Sequence, residues 1–178
     1  VSPGIDYENE ILVAGRKKGI KILTDIEIFI KESKSKKIFI TGTNGKTTVV
    51  SMIGHVLNNI YETEEVVCSG NIGTPVLDTL NRKQDVSIVE LSSFHLEHIK
   101  NLKSDIGVLL NVEQDHLDRH HSFESYKKVK EKVLFGCSVG ITVKEILLSI
   151  DSIGEQIFSF EDLTKPFEKE IYNLFKNK

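Results

Sequence analysis

Four short apolar runs, KIFIT from Lys37, EVVCSG from Glu65, VSIVEL from Val86 and IGVLLNV from Ile106, alternate with stretches whose apolar residues recur at helical spacing. The runs have strand length and are rich in Val, Ile and Phe, while VVSMIGHVL and the segments around 74–80, 94–100 and 122–135 read as helices. Strands that alternate with helices are joined by crossovers, so their sheet is mainly parallel and covered on both faces. The expected fold is therefore α/β in three layers, and ligands in such a sheet gather at the carboxyl ends of its strands. Polar signatures fall at those ends: GTNGKTT, SGNIG, ELSSF and NVEQDH each sit at or just after a run.

GTNGKTT has the makings of a phosphate loop. Its small residues let successive backbone N–H groups converge on an anion, and the helix that follows points its N-terminus at the same place. Gly42, Thr43, Asn44, Gly45, Lys46, Thr47 and Thr48 are the candidate phosphate contacts, with the Lys46 ammonium on the β/γ-phosphates and the Thr47 hydroxyl on Mg²⁺. The strict G-x-x-x-x-G-K-[ST] pattern wants glycine at position 40, which is Ile40 here, and a tight turn capped by a threonine is the alternative. Glu90 ends an otherwise apolar run near the same edge, where a carboxylate suits a shared Mg²⁺ ion. A helix-capping arrangement of Ser92 or Ser93 with Glu97 is the other reading of that stretch.

NVEQDHLDRHH crowds Asp115, His116, Asp118, His120 and His121 together at a spacing that matches no closed zinc site. His116, just past a strand end, is the candidate ion or phosphate contact. His120 and His121, like His95 and His98 on their helix, read as solvated, and Lys127, Lys128, Lys130 and Lys132 read as one solvated basic face.

Composition narrows the partners. A formal net charge of -3 over 178 residues, with charges interspersed, indicates neither a nucleic-acid footprint nor a membrane-seeking face. Cys68 and Cys137 lie far apart, as reduced thiols of a cytoplasmic protein do, and no apolar run is long enough for a membrane span. The opening VSPGID lacks methionine and reads as the start of a processed or excised piece. Before the first strand, a helix from Glu8 is expected to turn Ile11, Leu12 and Ala14 to a core and stop near Gly19, followed by IKIL and a second helix around IEIFI. The polar run 31–37 is the linker candidate. Past Ser138, VKEILLSI and FEKEIYNLF suggest short helices around a weak strand QIFSF.

GTNGKTT, SGNIGTPVL, ELSSFHLE, NVEQDHLDRH and a lysine in SYKKVKEK together resemble, in order and spacing, the Mur ligase family of ATP-dependent amide-forming enzymes of peptidoglycan synthesis. That family's loop has the form G-T-N-G-K-T/S-T, so Ile40 is normal for it. VSPGI, GIKILTDIEIF, GNIGTP and ELSSFHLE resemble its D-glutamate-adding branch. The match covers roughly residues 1–135.

The resemblance implies residues 1–33 as the end of an α/β UDP-binding domain, 37–137 as the central ATPase domain of P-loop type, and an unassigned 138–178. It implies ATP and Mg²⁺ as cofactors, UDP-N-acetylmuramoyl-L-alanine and D-glutamate as substrates, a cytoplasmic monomer, and no nucleic acid or membrane partner. Residue by residue, it implies Lys46 and the loop amides on the phosphates, Thr47 and Glu90 on one Mg²⁺ and His116 at a second. Asn71 and Gly4 are implied on the UDP-sugar substrate. Lys130 is implied as the lysine that the family carbamylates into a metal ligand, with Lys128 or Lys127 as alternatives. Another amide ligase of the family, such as a folylpolyglutamate-type one, and a non-catalytic binding fragment are the other readings, and an unrelated P-loop NTPase would make four motifs coincidental.

Overall fold

The computed structural model describes residues 1–60, 65–71, 73–150 and 157–162. Six strands, β1 (Lys36–Thr41), β2 (Val66–Gly70), β3 (Val86–Glu90), β4 (Ser104–Leu109), β5 (Cys137–Thr142) and β6 (Ile157–Ser159), form one sheet in the order β2-β3-β1-β4-β5-β6. Every pairing is parallel. The α/β class and the parallel sheet expected from the apolar runs are thus present, with β1 at the centre.

Alternation along the strands sorts the core into two halves, because successive side chains leave opposite faces. Ile38 and Ile40 of β1, Val86 and Ile88 of β3, and Ile106 and Val108 of β4 pack on one face with Val50 and Leu57 of α3 (Lys46–Ile60). Phe39, Val89 and Leu109 leave the other face. There they meet Ile26 and Phe29 of α2 (Asp25–Glu32), Leu96 of α4 (Ser93–His98), and Val133 and Leu134 of α6 (Phe123–Phe135). α6 lies so close on β4 that a Cβ at Gly107 would stand 2.1 Å from the Val133 carbonyl oxygen. Glycine is what permits that contact.

Several local expectations change. α1 (Glu10–Lys17) is present, yet it buries none of its residues, and Ile11 is 79% exposed. Its anchoring is polar: Asn9 caps it, and Arg16 donates to the Tyr7 carbonyl and lies over the Tyr7 ring. The helix expected at 74–80 shrinks to a 3-10 turn at Val76–Thr79, opened by Pro75 and closed by the Thr79 hydroxyl donating to the Val76 carbonyl. The linker candidate 31–37 is mostly ordered, as the end of α2 and the start of β1.

Beyond residue 137 the sheet continues. β5, which the sequence reading left unassigned, pairs with β4 over 104–109, and β6 realises the weak strand in QIFSF. β5 is hard to see in the sequence because Gly140 and Ser138 dilute its apolar residues; Gly140 stands opposite Gly107 in the ladder, and a Cβ there would lie 3.1 Å from the Ile157 side chain. Only Lys144–Leu147 of VKEILLSI is helical, as α7, and FEKEIYNLF lies outside the described residues. No helix among the described residues is long and apolar enough to cross a membrane.

Candidate functional site

The site is built at the carboxyl edge of β3, β1 and β4. β1 ends at Thr41, whose hydroxyl donates to the Leu91 carbonyl at 2.7 Å, and the chain turns through Gly42–Gly45 into α3. Gly45 has φ +79°, a conformation that side chains with a Cβ resist. With that turn made, the first N–H groups of the 15-residue α3 have no partner inside the helix and face the loop. Lys46, at the helix start, curls back so that Nζ donates to the carbonyls of Gly42 at 3.0 Å and Thr43 at 2.8 Å.

Glu90 closes β3 and is 1% exposed. Its Oε2 accepts from the Thr47 hydroxyl at 2.9 Å and its Oε1 from the Asn71 amide at 3.2 Å. The structure therefore brings Thr47, Glu90 and Asn71 together from three elements. Both donors are neutral, and among the described residues no cation stands within ion-pair distance of this buried carboxylate. Hydroxyl and carboxylate oxygens at a phosphate-facing helix start fit a hard divalent ion such as Mg²⁺. The capping reading of the neighbouring stretch holds as well: Ser92 is the N-cap of α4 and accepts from the His95 N–H. Glu97 instead pairs with Arg119 at 2.7 Å.

The backbone of Glu90 is held by Gly70. A Cβ there would lie 2.3 Å from the Glu90 carbonyl oxygen, and φ is +108°. Gly70→Ala is expected to lower stability by about 2–4 kcal/mol, read as a lower denaturant midpoint. An unchanged midpoint would mean that β2 is not in register with Glu90.

Lys130 is 2% exposed, not part of a solvated face. Its Nζ donates to the Gly42 carbonyl at 2.7 Å and lies 4.9 Å from the centre of the Tyr126 ring. Burial, then the neighbouring Lys46 ammonium, lowers its pKa to about 7 against a partial opposing pull from Asp115. The other three lysines divide. Lys128 is exposed, Lys127 donates to Ser149, and Lys132 reaches the carbonyls of Leu96, Glu97 and Ile99 at the end of α4.

His116 has a left-handed backbone, φ 50°, and caps the short α5 (Leu117–His120). Its ring stands against Phe94 at 4.9 Å and edge-on to Tyr126 at 6.4 Å, so His116 and Lys130 approach the same tyrosine. Three histidines expected to be solvated are buried. His95 pairs with Ser92, His98 reaches the Ile5 carbonyl, and His120 meets the Ser93 hydroxyl at 3.0 Å. Desolvation lowers the pKa of His95 and of His120, so each is held neutral as a packing and hydrogen-bonding group. His121 is exposed. No group of three or more His, Cys, Asp or Glu side chains that could hold a metal occurs among the described residues.

Gly4 is exposed and takes no part in the Thr47–Glu90–Asn71 network. Its segment is nevertheless tied down, since Ile5 accepts from His98 and from Arg119. Two residues not singled out in the sequence complete the site. Tyr126 donates to or accepts from the Thr43 hydroxyl at 3.1 Å, and Asn111 binds the loop backbone. Asn111 was recoverable in principle: it is the first polar side chain past β4, at the sheet edge where ligands gather.

Residues 40–157 match the Mur ligase middle domain. The chain is 49% identical over 131 residues to a UDP-N-acetylmuramoylalanine--D-glutamate ligase of Buchnera aphidicola, covering 73% of this chain and 29% of that protein. It is 35% identical over 173 residues to the protein of the same name from Teredinibacter turnerae, covering 95% of this chain and 37% of that one. Among solved structures, the MurF ligase of Thermotoga maritima in complex with ADP aligns at a TM-score of 0.56 and 20% identity, over 74% of this chain and 33% of that chain, a likeness of fold. The chain thus spans well under half the length of the relatives it matches.

Proposed function

Because the chain belongs to the Mur ligase family, whose middle domain its residues 40–157 match, we propose that it is the nucleotide-binding unit of an enzyme that adds D-glutamate to UDP-N-acetylmuramoyl-L-alanine at the expense of ATP. The observation that carries the reading is the buried Glu90 carboxylate bonded to Thr47 at the head of the GTNGKTT loop. On this reading residues 1–33 end a UDP-binding domain, and the ATPase domain starts at 37 and runs on past 137 into the shared sheet. The setting is the cytoplasm, and the unit acts as a monomer.

The family resemblance implies the chemistry. ATP gives its γ-phosphoryl group to the alanine carboxylate, breaking the bond to the β-phosphate oxygen and forming an acyl phosphate. The D-glutamate amine then attacks the acyl carbon, and inorganic phosphate leaves with the amide formed. Positioning and charge stabilisation account for most of the catalysis in such transfers. The N–H groups opening α3 hold phosphate oxygens, and Lys46 turns from the carbonyls of Gly42 and Thr43 to the β/γ-phosphates, exchanging neutral acceptors for charged ones. Thr47 and Glu90 would hold Mg²⁺, with His116 and a carbamylated Lys130 at a second ion; bound there, the metal supplies positive charge against the transferring phosphoryl group. Asn71 and Gly4 face the UDP-sugar substrate on this reading, and Asn71 meanwhile keeps Glu90 oriented.

Glu90→Gln keeps the shape and removes the charge. It is expected to weaken the Mg²⁺ dependence of ATP binding by roughly a hundredfold, measured by titrating Mg²⁺ at fixed ATP; an unaltered Mg²⁺ requirement would remove Glu90 from the metal site. The function is tested by incubating the chain with ATP, Mg²⁺, UDP-N-acetylmuramoyl-L-alanine and D-glutamate and searching by mass spectrometry for the glutamyl product. Product supports the full reaction. ATP binding without product leaves a nucleotide-binding unit that needs the rest of its enzyme, and ATP hydrolysis indifferent to the UDP substrate contradicts the ligase reading.

A further inference from the structure

The Asn111 side chain makes three hydrogen bonds to the backbone of the phosphate loop. Its Oδ1 accepts from the N–H of Thr43 at 3.0 Å and of Asn44 at 2.9 Å, and its Nδ2 donates to the Asn44 carbonyl at 3.1 Å. Two N–H groups converging on one atom require the oxygen there, so this orientation follows from the donors themselves. The backbone repeats the tie: the Thr43 N–H also reaches the Asn111 carbonyl at 3.1 Å, and the Glu113 N–H donates to the Thr43 hydroxyl at 2.9 Å. Asn44 Nδ2 completes it on Glu113 at 3.2 Å. Gly42 makes the approach possible, since a Cβ there would sit 3.0 Å from the Leu110 Cβ and 3.4 Å from Asn111 Oδ1.

We infer that Asn111 is a positioning residue that divides the loop into a scaffold half and a binding half, an inference that rests on the reading of GTNGKTT as a phosphate cradle. The Thr43 and Asn44 amides belong to the scaffold, already bonded to the β4 end. The phosphates meet only the amides from Gly45 onward, where the chain turns into α3 and the helix leaves its N–H groups without partners. The consequence is a cradle shorter than the seven-residue motif suggests, held in shape before any nucleotide arrives. A preshaped loop loses less entropy on binding, so its contribution appears in affinity.

The test is residue-resolved hydrogen exchange of the chain with and without Mg·ATP, paired with the ATP affinity of Asn111→Ala. In the wild type the Thr43 and Asn44 amides are expected to be protected before nucleotide is added and to change little on binding, while Lys46, Thr47 and Thr48 gain protection. Asn111→Ala is expected to free the two scaffold amides and weaken ATP binding roughly tenfold to a hundredfold at a melting temperature close to wild type. New ATP-dependent protection at Thr43 and Asn44 overturns the division, as does ATP affinity within about twofold of wild type in the variant. The wild-type exchange pattern decides alone if the variant does not fold. A wild-type chain that binds no ATP at all fails on different grounds: it overturns the phosphate reading and this inference with it.

Discussion

Lys46→Ala loses at least about a hundredfold in ATP affinity, and the full enzyme carrying it loses essentially all turnover, because nothing else at the loop can supply that charge. The Lys130 ammonium, close enough to feel Lys46, is buried on the Gly42 carbonyl. The fold should survive, since among the described residues the Lys46 side chain bonds only to two carbonyls of its own loop. Isothermal titration with ATP beside a melting curve checks both statements. Wild-type affinity in the variant would remove Lys46 from the phosphate site.

Lys130→Ala is the second large effect. A fully buried amine whose pKa is brought to about 7 is substantially neutral at physiological pH, and a neutral amine is the form that reacts with CO₂, forming an N–C bond and releasing a proton. The sign is definite. Below pH 7 the ammonium dominates and the reactive fraction falls by roughly tenfold per pH unit, whereas above it the amine is free. The full enzyme with Lys130→Ala is expected to lose activity by roughly a thousandfold and to regain part of it with short carboxylic acids that place a carboxylate in the vacated space. In the wild type, bicarbonate dependence should be steepest below pH 7. Full activity without any added acid would refute the carbamate, and the same treatment of Lys128, which is exposed, should change little.

The sheet was legible where apolar residues are continuous. β3 buries every residue and β1 and β4 bury their last four, so each carries a compact stretch dominated by Val, Ile, Leu or Phe, as strands covered on both faces do. β5 was not, because Ser138 and Gly140 break up its apolar residues and a glycine there looks like a turn signal. Of the site, Lys46 and Thr47 stood out through the GTNGKTT loop between a strand and a helix, and Glu90 because it is polar at the end of an apolar run, which is costly without a task. Spacing did not mark Lys130, which the resemblance alone singled out: its burial among four lysines on one helix depends on where α6 crosses Thr41 and Gly42. His95, His98 and His120 were misjudged for the same reason, since a histidine reads as solvated until packing supplies its partner. Asn111 was hidden by its neighbours, the acidic and histidine residues that follow it. Its position past the end of β4 marks the sheet edge, but its bonds to another loop's backbone show only in the fold.

The most direct test of the central claim is a calorimetric titration of the chain with ATP in the presence and absence of Mg²⁺. One site per chain is expected, tighter with Mg²⁺ and lost in Lys46→Ala. Binding that ignores Mg²⁺ and survives Lys46→Ala, or no binding at all, would contradict a phosphate and metal site built from Lys46, Thr47 and Glu90.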